Sequence, residues 1–102
     1  MTKRRRRRQN SAKSAIRKAW AALSRRLRDE KGACELCGSQ EHLQVHHVLA
    51  KRLYPGFMLD ERNLTVLCAK CHWRYHKGGE AELFRHLREV RPDNFEWILA
   101  NA

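Results

Sequence analysis

No apolar run in the 102 residues approaches the ~18–20 residues that cross a bilayer, so no membrane-spanning helix is expected. The start, MTKRRRRR, carries charge but no apolar segment after it, which argues against a secretory signal. A transit peptide fits an Arg-rich, acid-free start, but five consecutive arginines fit a polyanion contact better. Acidic residues are missing from 1–28 altogether. That stretch holds 12 Lys and Arg, whereas 29–102 holds 10 basic and 11 acidic residues, so a net of +12 against −1 accounts for the chain's +11. A hydrophobic content of 42% is too high for a fully disordered chain. The near-neutral remainder is nevertheless small. A core of that size buries only ~60% of its unfolded surface, and it needs a disulfide or metal staple.

Two further absences choose the staple. No export signal points to an oxidising compartment, which disfavours disulfides. No βαβ pattern accompanies either Cys-x-x-Cys, which disfavours a thioredoxin-like redox pair. Four cysteines are present, Cys34, Cys37, Cys68 and Cys71, as two Cys-x-x-Cys pairs followed by Gly38 and His72. Such pairs form tight knuckles, and two knuckles supply the four sulfurs of a closed tetrahedral site. Structural Zn²⁺ is therefore the expected brace.

Along the chain, 1–10 is expected to be a disordered basic arm, because blocks of like charge repel. Asn10 or Ser11 can cap a basic amphipathic helix over 11–31. Its apolar stripe is Ile16, Trp20, Leu23 and Leu27, and its other faces carry Lys13, Arg17, Lys18, Arg25, Arg26 and Arg28. Gly32 ends it. Residues 43–48 (LQVHHV) and 64–67 (LTVL) read as strands, with a loop over 49–62 that contains Pro55 and Gly56. A short helix fits 71–77, ended by Gly78 and Gly79. An amphipathic helix follows over 80–90, with Leu83, Phe84, Leu87 and Val90 on one face. Pro92 breaks it, and Asp93 with Glu96 has capping-box spacing for a last helix bearing Phe95, Trp97 and Ile98. Trp20, Trp73 and Trp97 are expected in the core. The expected units are the arm 1–10, the helix 11–31, a metal-braced centre 32–79 and a helical extension 80–102.

The zinc knuckles do not explain the histidines. His46 and His47 are adjacent on a strand and point to opposite faces. His72 and His76 are four apart on a helix and share a face. If strand and helix pack together, His46, His72 and His76 converge as three imidazoles and leave coordination positions open, as in a catalytic metal site. His47 is then free to act as a general base, since a neutral imidazole is available near neutral pH. In a basic protein this suggests attack of water on a phosphodiester. Asn63, entering the second strand, can hydrogen-bond across the loop and hold the base-bearing strand. His42 and His86 fit no motif and are expected at the surface.

The pattern Cys34-x-x-Cys37, Val45-His46-His47-Val48, Asn63-Leu64, Leu67-Cys68-x-x-Cys71-His72 and His76 resembles the HNH endonucleases, the ββα-metal or His-Me finger nucleases. The resemblance is to the branch braced by a four-cysteine zinc site, and it covers about residues 34–77. It implies a small α+β fold, a ββα-metal finger with zinc knuckles, flanked by the basic helix and C-terminal helices. It implies His47 as general base, His46 as metal ligand, Asn63 as orienting residue, and His72 and His76 as further ligands. The catalytic ion is one divalent metal, Mg²⁺, Mn²⁺, Ni²⁺ or Zn²⁺, with an imidazole-rich set favouring the softer ones. The expected partner is DNA, contacted by Arg4, Arg5, Arg6, Arg7 and Arg8 and by Lys51, Arg52, Arg74 and Lys77. One finger carries one site, so cutting both strands needs a homodimer or two sequential events. The expectation is a bacterial or phage-encoded cytoplasmic endonuclease that nicks or cuts DNA. The alternatives are a non-catalytic zinc-braced nucleic-acid-binding module, or an accessory nuclease of a phage packaging or restriction complex.

Overall fold

Residues 2–102 are described by the computed structural model. A helix, α1, leads the chain over Lys3–Lys31. The disordered arm expected over 1–10 is thus corrected for 3–10, which are helical; Met1 lies outside the described residues. Two physical reasons account for the difference. The Thr2 side chain accepts a hydrogen bond from the Arg5 backbone N–H at 3.3 Å and caps the first turn. Arginine is also a good helix former, and successive side chains fan out around the axis into water. Gly32 ends α1 in the left-handed region (φ 67°), with its N–H donating to the Arg28 carbonyl at 2.9 Å.

Only the second half of α1 meets the body. Leu27 is buried, Trp20 and Leu23 pack beside it, but Ile16 remains 43% exposed. The expected stripe therefore reaches the core with three of its four members. The described side chains before Trp20 are exposed, apart from a half-buried Ser14. The radius of gyration of 15.5 Å exceeds the ~13 Å of a compact chain this long, because the front of α1 projects from the body.

Strand β1 (Leu43–His47) pairs antiparallel with β2 (Leu64–Cys68). The register sets Leu43 opposite Cys68, Val45 opposite Val66 and His47 opposite Leu64. One face of this ribbon packs on α1 through Leu64, Val66 and Val45. The other presents Leu67 to a second core with Leu83, Leu87 and Ile98. Two layers thus sandwich the strands, and β2 is buried along its whole length. The loop between the strands contains two short turns, Pro55–Phe57 and Glu61–Asn63.

Helix α2 spans Ala69–Arg74, two residues earlier than expected, because the Cys68 sulfur caps it by accepting the Cys71 N–H at 3.4 Å. A widened turn, Tyr75–Gly79, follows, with Gly78 at φ 104°. Helix α3 is Glu80–Val90 and α4 is Pro92–Asn101. The expected capping box does not form. Pro92 takes the first helical position, so Asp93 lies inside the first turn rather than at the cap. Trp97 packs edge-on against Phe57 at 4.9 Å and lies under the Arg62 guanidinium. Trp73 departs from its expected core role: it is 65% exposed on α2.

Candidate active site and four-cysteine cluster

The knuckles close on each other at one end of the ribbon. Cys34, Cys37, Cys68 and Cys71 bring their sulfurs within 4.8 Å of one another. Cys37 Sγ and Cys68 Sγ are 3.6 Å apart. Four sulfurs at ~2.3 Å from one zinc ion sit about 3.8 Å from each other, whereas a disulfide is ~2.05 Å long, so the donor set fits zinc. The Cys71 backbone N–H pulls the Cys68 thiol down to about 7, toward the thiolate that binds metal. Burial, and then the neighbouring sulfurs, push the Cys71 thiol up. Glu35, inside the first knuckle, ties it to β2: its N–H donates to the Val66 carbonyl at 2.9 Å, and its carboxylate accepts the Val66 N–H at 2.7 Å.

The histidines occupy the other end of β1. The strand's alternation sends His46 toward α2 and His47 toward α1. His46, His72 and His76 converge, with ring nitrogens within 4.8 Å of one another. His72 Nε2 and His76 Nε2 are 3.2 Å apart. His46 is buried, and its Nε2 has no hydrogen-bond partner. A buried ring nitrogen left unpaired is costly unless it binds something. This orphaned atom, aimed at two further imidazoles, fits a divalent ion. Burial, with positive charge on His72 and His76 acting in the same direction, lowers the His46 pKa to about 3, so the ring is neutral and has a free lone pair. Burial and His76 lower His72 as well.

His47 is held differently. Its Nε2 lies 3.0 Å from the Met58 carbonyl, which can only accept, so Nε2 carries the proton and Nδ1 is left as the acceptor. Burial is the main influence and lowers its pKa; the Met58 carbonyl opposes this, and Lys51 adds to the lowering. The Trp20 indole stacks on the imidazole with centroids 4.6 Å apart and planes at 24°. Asn63 is wholly buried. Its Oδ1 accepts the Leu49 N–H at 2.6 Å, and its Nδ2 donates to the carbonyls of Leu49 at 3.0 Å and Phe57 at 3.3 Å. It thereby pins the loop after β1 to the start of β2.

A cleft of about 410 Å³ lies over His46, His47, His72 and His76, and Lys51 also lines it. The other expected phosphate contacts are dispersed. Arg52 is exposed in the following turn. Arg74 faces away and pairs with Glu82 at 3.6 Å, while the Lys77 ammonium lies 5.5 Å above the Trp73 ring. Arg4–Arg8 are exposed on the projecting part of α1. His42 is exposed as expected, whereas His86 is half-buried with an unpartnered Nε2.

Three contributors are additional to the expected set. Gln44 Oε1 accepts from His72 Nδ1, which leaves Nε2 of that ring free toward His76. Tyr75 packs edge-on against His46 at 4.2 Å. Trp20 covers His47. Gln44 lies two residues before His46 on one strand, so period two places both on the same face. Nothing local links Trp20 to His47, which are brought together only by the packing of α1.

Residues 34–78 match the family described as HNH endonuclease. A Saccharomyces cerevisiae protein (strain ATCC 204508 / S288c) named for intron 2 of COX1/OXI3 is 32% identical over 66 residues, covering 55% of this chain. The chain spans only 8% of that protein's length. No solved structure matches the chain significantly. The family generally hydrolyses nucleic acids with a divalent metal. No helix among the described residues is long and apolar enough to cross a membrane. The chain is small α+β, and the part of it that holds both cysteine knuckles and the paired histidines, residues 34–78, is similar to the HNH endonuclease domain.

Proposed function

We propose that this chain is a metal-dependent endonuclease that hydrolyses DNA phosphodiester bonds, with His47 as general base. The observation that carries the reading is the division of labour on one strand. His46 joins a cluster of three imidazoles on one face, while His47 keeps a neutral acceptor nitrogen on the other.

A divalent ion held by His46, His72 and His76 would supply Lewis-acid stabilisation of phosphate and leaving-group charge. The protein's own groups do the rest. His47 Nδ1 takes a proton from water as the water oxygen bonds to phosphorus and the bond to the leaving sugar oxygen breaks; that oxygen is protonated from solvent. The Met58 carbonyl, bonded at Nε2, fixes the tautomer and steadies the imidazolium as it forms. Lys51, in the cleft, attracts the phosphate. Asn63 keeps the loop after β1 in place. Cys34, Cys37, Cys68 and Cys71 hold a structural zinc ion that brings both elements together. Arg4–Arg8 bind backbone phosphates without regard to sequence, as DNA counterions leave.

The test is plasmid nicking by the zinc-loaded chain with EDTA and with added Mg²⁺, Mn²⁺, Ni²⁺ or Zn²⁺. Cleavage should require an added ion. His47→Ala should fold, retain its knuckle zinc and lose about 10²–10⁴-fold in rate, the usual contribution of a positioned base. Full activity in that variant would remove His47 from the role. A chain that binds plasmid but fails to nick it with any of these ions is instead a zinc-braced binding module.

A further inference from the structure

We propose that Trp20 is a positioning residue for His47, so that α1, outside the matched residues 34–78, forms part of the active site. The proposal rests on the reading of His47 as general base.

One hydrogen bond fixes a point on a ring, not the plane of the ring. The Met58 carbonyl holds His47 Nε2 at 3.0 Å, yet the imidazole can still swing about that contact. The swing matters because the acceptor lone pair of Nδ1 lies in the ring plane, and a tilted ring aims it away from the water it must deprotonate. A flat neighbour removes this freedom. The Trp20 indole lies nearly parallel to the imidazole at 4.6 Å, within the range of offset aromatic stacking.

The plate is itself anchored. Trp20 is half-buried and packs against the cluster of Leu27, Leu64 and Val66, which joins α1 to β2. Leu64 is the cross-strand partner of His47, so the indole and the imidazole rest on neighbouring positions of one ribbon face. The remaining side of α1 carries cations from Lys3 to Lys18. The helix proposed to attract the polyanion therefore sets Trp20, two residues after Lys18, against the proposed base.

A core residue would only need bulk at this position, whereas a positioning residue needs a flat face. Three full-chain variants separate these roles: Trp20→Phe keeps a face, Trp20→Leu keeps apolar volume without one, and Trp20→Ala keeps neither. Zinc content and unfolding midpoint establish that each is folded. In steady-state plasmid nicking, Trp20→Leu and Trp20→Ala should lose about 10–100-fold in kcat with KM for DNA nearly unchanged, the scale of a misplaced catalytic group. Trp20→Phe should restore most of it. A second readout is independent of cleavage. Diethyl pyrocarbonate acylates neutral imidazole, and mass spectrometry should show faster modification of His47 in Trp20→Leu than in the native chain or Trp20→Phe. Native kcat and native His47 reactivity in Trp20→Leu would overturn the proposal, as would equal impairment in Trp20→Phe. A native chain that nicks no DNA defeats the nuclease reading, and the acylation rates then still decide whether Trp20 holds His47.

Discussion

Asn63 has no exposed surface, and both ends of its amide are engaged with the backbone of the inter-strand loop. Truncation to alanine strands the Leu49 N–H and the Leu49 carbonyl without partners, while the Phe57 carbonyl keeps the Asp60 N–H at 3.2 Å. Asn63→Ala is expected to cost about 2–4 kcal/mol of stability, measured by urea unfolding, since each buried unpaired group costs ~1–3 kcal/mol. Gln44 acts on a different quantity. It is exposed and contributes little to packing, but it sets the tautomer of His72. Gln44→Ala should leave the unfolding midpoint unchanged while weakening divalent-ion binding at the histidine cluster about 10–100-fold. Titration calorimetry on protein whose knuckles are already zinc-loaded measures this. At this scale the sequence was most readable where a rule of spacing applies. Alternation along 43–48 separates His46 from His47, and the four-residue step joins His72 to His76. Trp20 over His47 and the exposure of Trp73 follow no such rule, because each depends on how whole helices pack.

The elements are joined by a pair that spans the fold. Arg91, between α3 and α4, reaches Glu35 in the first knuckle at 3.3 Å, with the two side chains 15% and 10% exposed, and also donates to the Leu64 carbonyl at 2.9 Å. Arg91→Ala leaves the Glu35 carboxylate sheltered and without its nearest cation, keeping only the Val66 N–H at 2.7 Å and the more distant Lys31 at 3.8 Å. The expected loss is about 3 kcal/mol in urea unfolding, as for other broken low-exposure pairs. The solvent-exposed contact of Arg26 with Glu30 and Glu61 provides the contrast, and Arg26→Ala should leave the midpoint almost unmoved. Helix α3 was legible because its apolar positions recur with helical period and glycines precede it. The start of α1 was not: a run of arginines predicts repulsion, but the Thr2 cap and arginine's helix propensity prevail. The start of α4 was misread for a comparable reason, since the rigid φ of Pro92 outweighs the capping-box pattern one residue later.

In the proposed nuclease the whole molecule separates attraction from chemistry. Deleting residues 2–9 removes Lys3 and Arg4–Arg8. If these six each neutralise a phosphate, the log–log salt slope of DNA binding should flatten by up to about 5, at ~0.9 per contact. Nicking at low salt should persist. Zinc chelation has the opposite reach. Because no single core is large, stripping the knuckles should abolish the cooperative unfolding transition by circular dichroism, metal binding and folding being one equilibrium. The clustering of the four sulfurs was readable from the spacing of the two Cys-x-x-Cys pairs. The projection of α1 was not readable, because Ile16 continues the apolar stripe past the point where the body ends.

The ribbon register gives the cysteine knuckles a second consequence. Cys68 sits opposite Leu43 at one end, and His47 sits opposite Leu64 at the other. Side chains alternate with a period of two, so a slip of one residue would turn His46 toward Trp20 and His47 toward His72 and His76. Both histidines would remain in place as residues, but they would have exchanged partners. A two-stranded ribbon has little of its own to prevent such a slip. By clamping Cys68, the knuckles act as a frame marker at a distance: they keep two chemically identical side chains from being confused with each other.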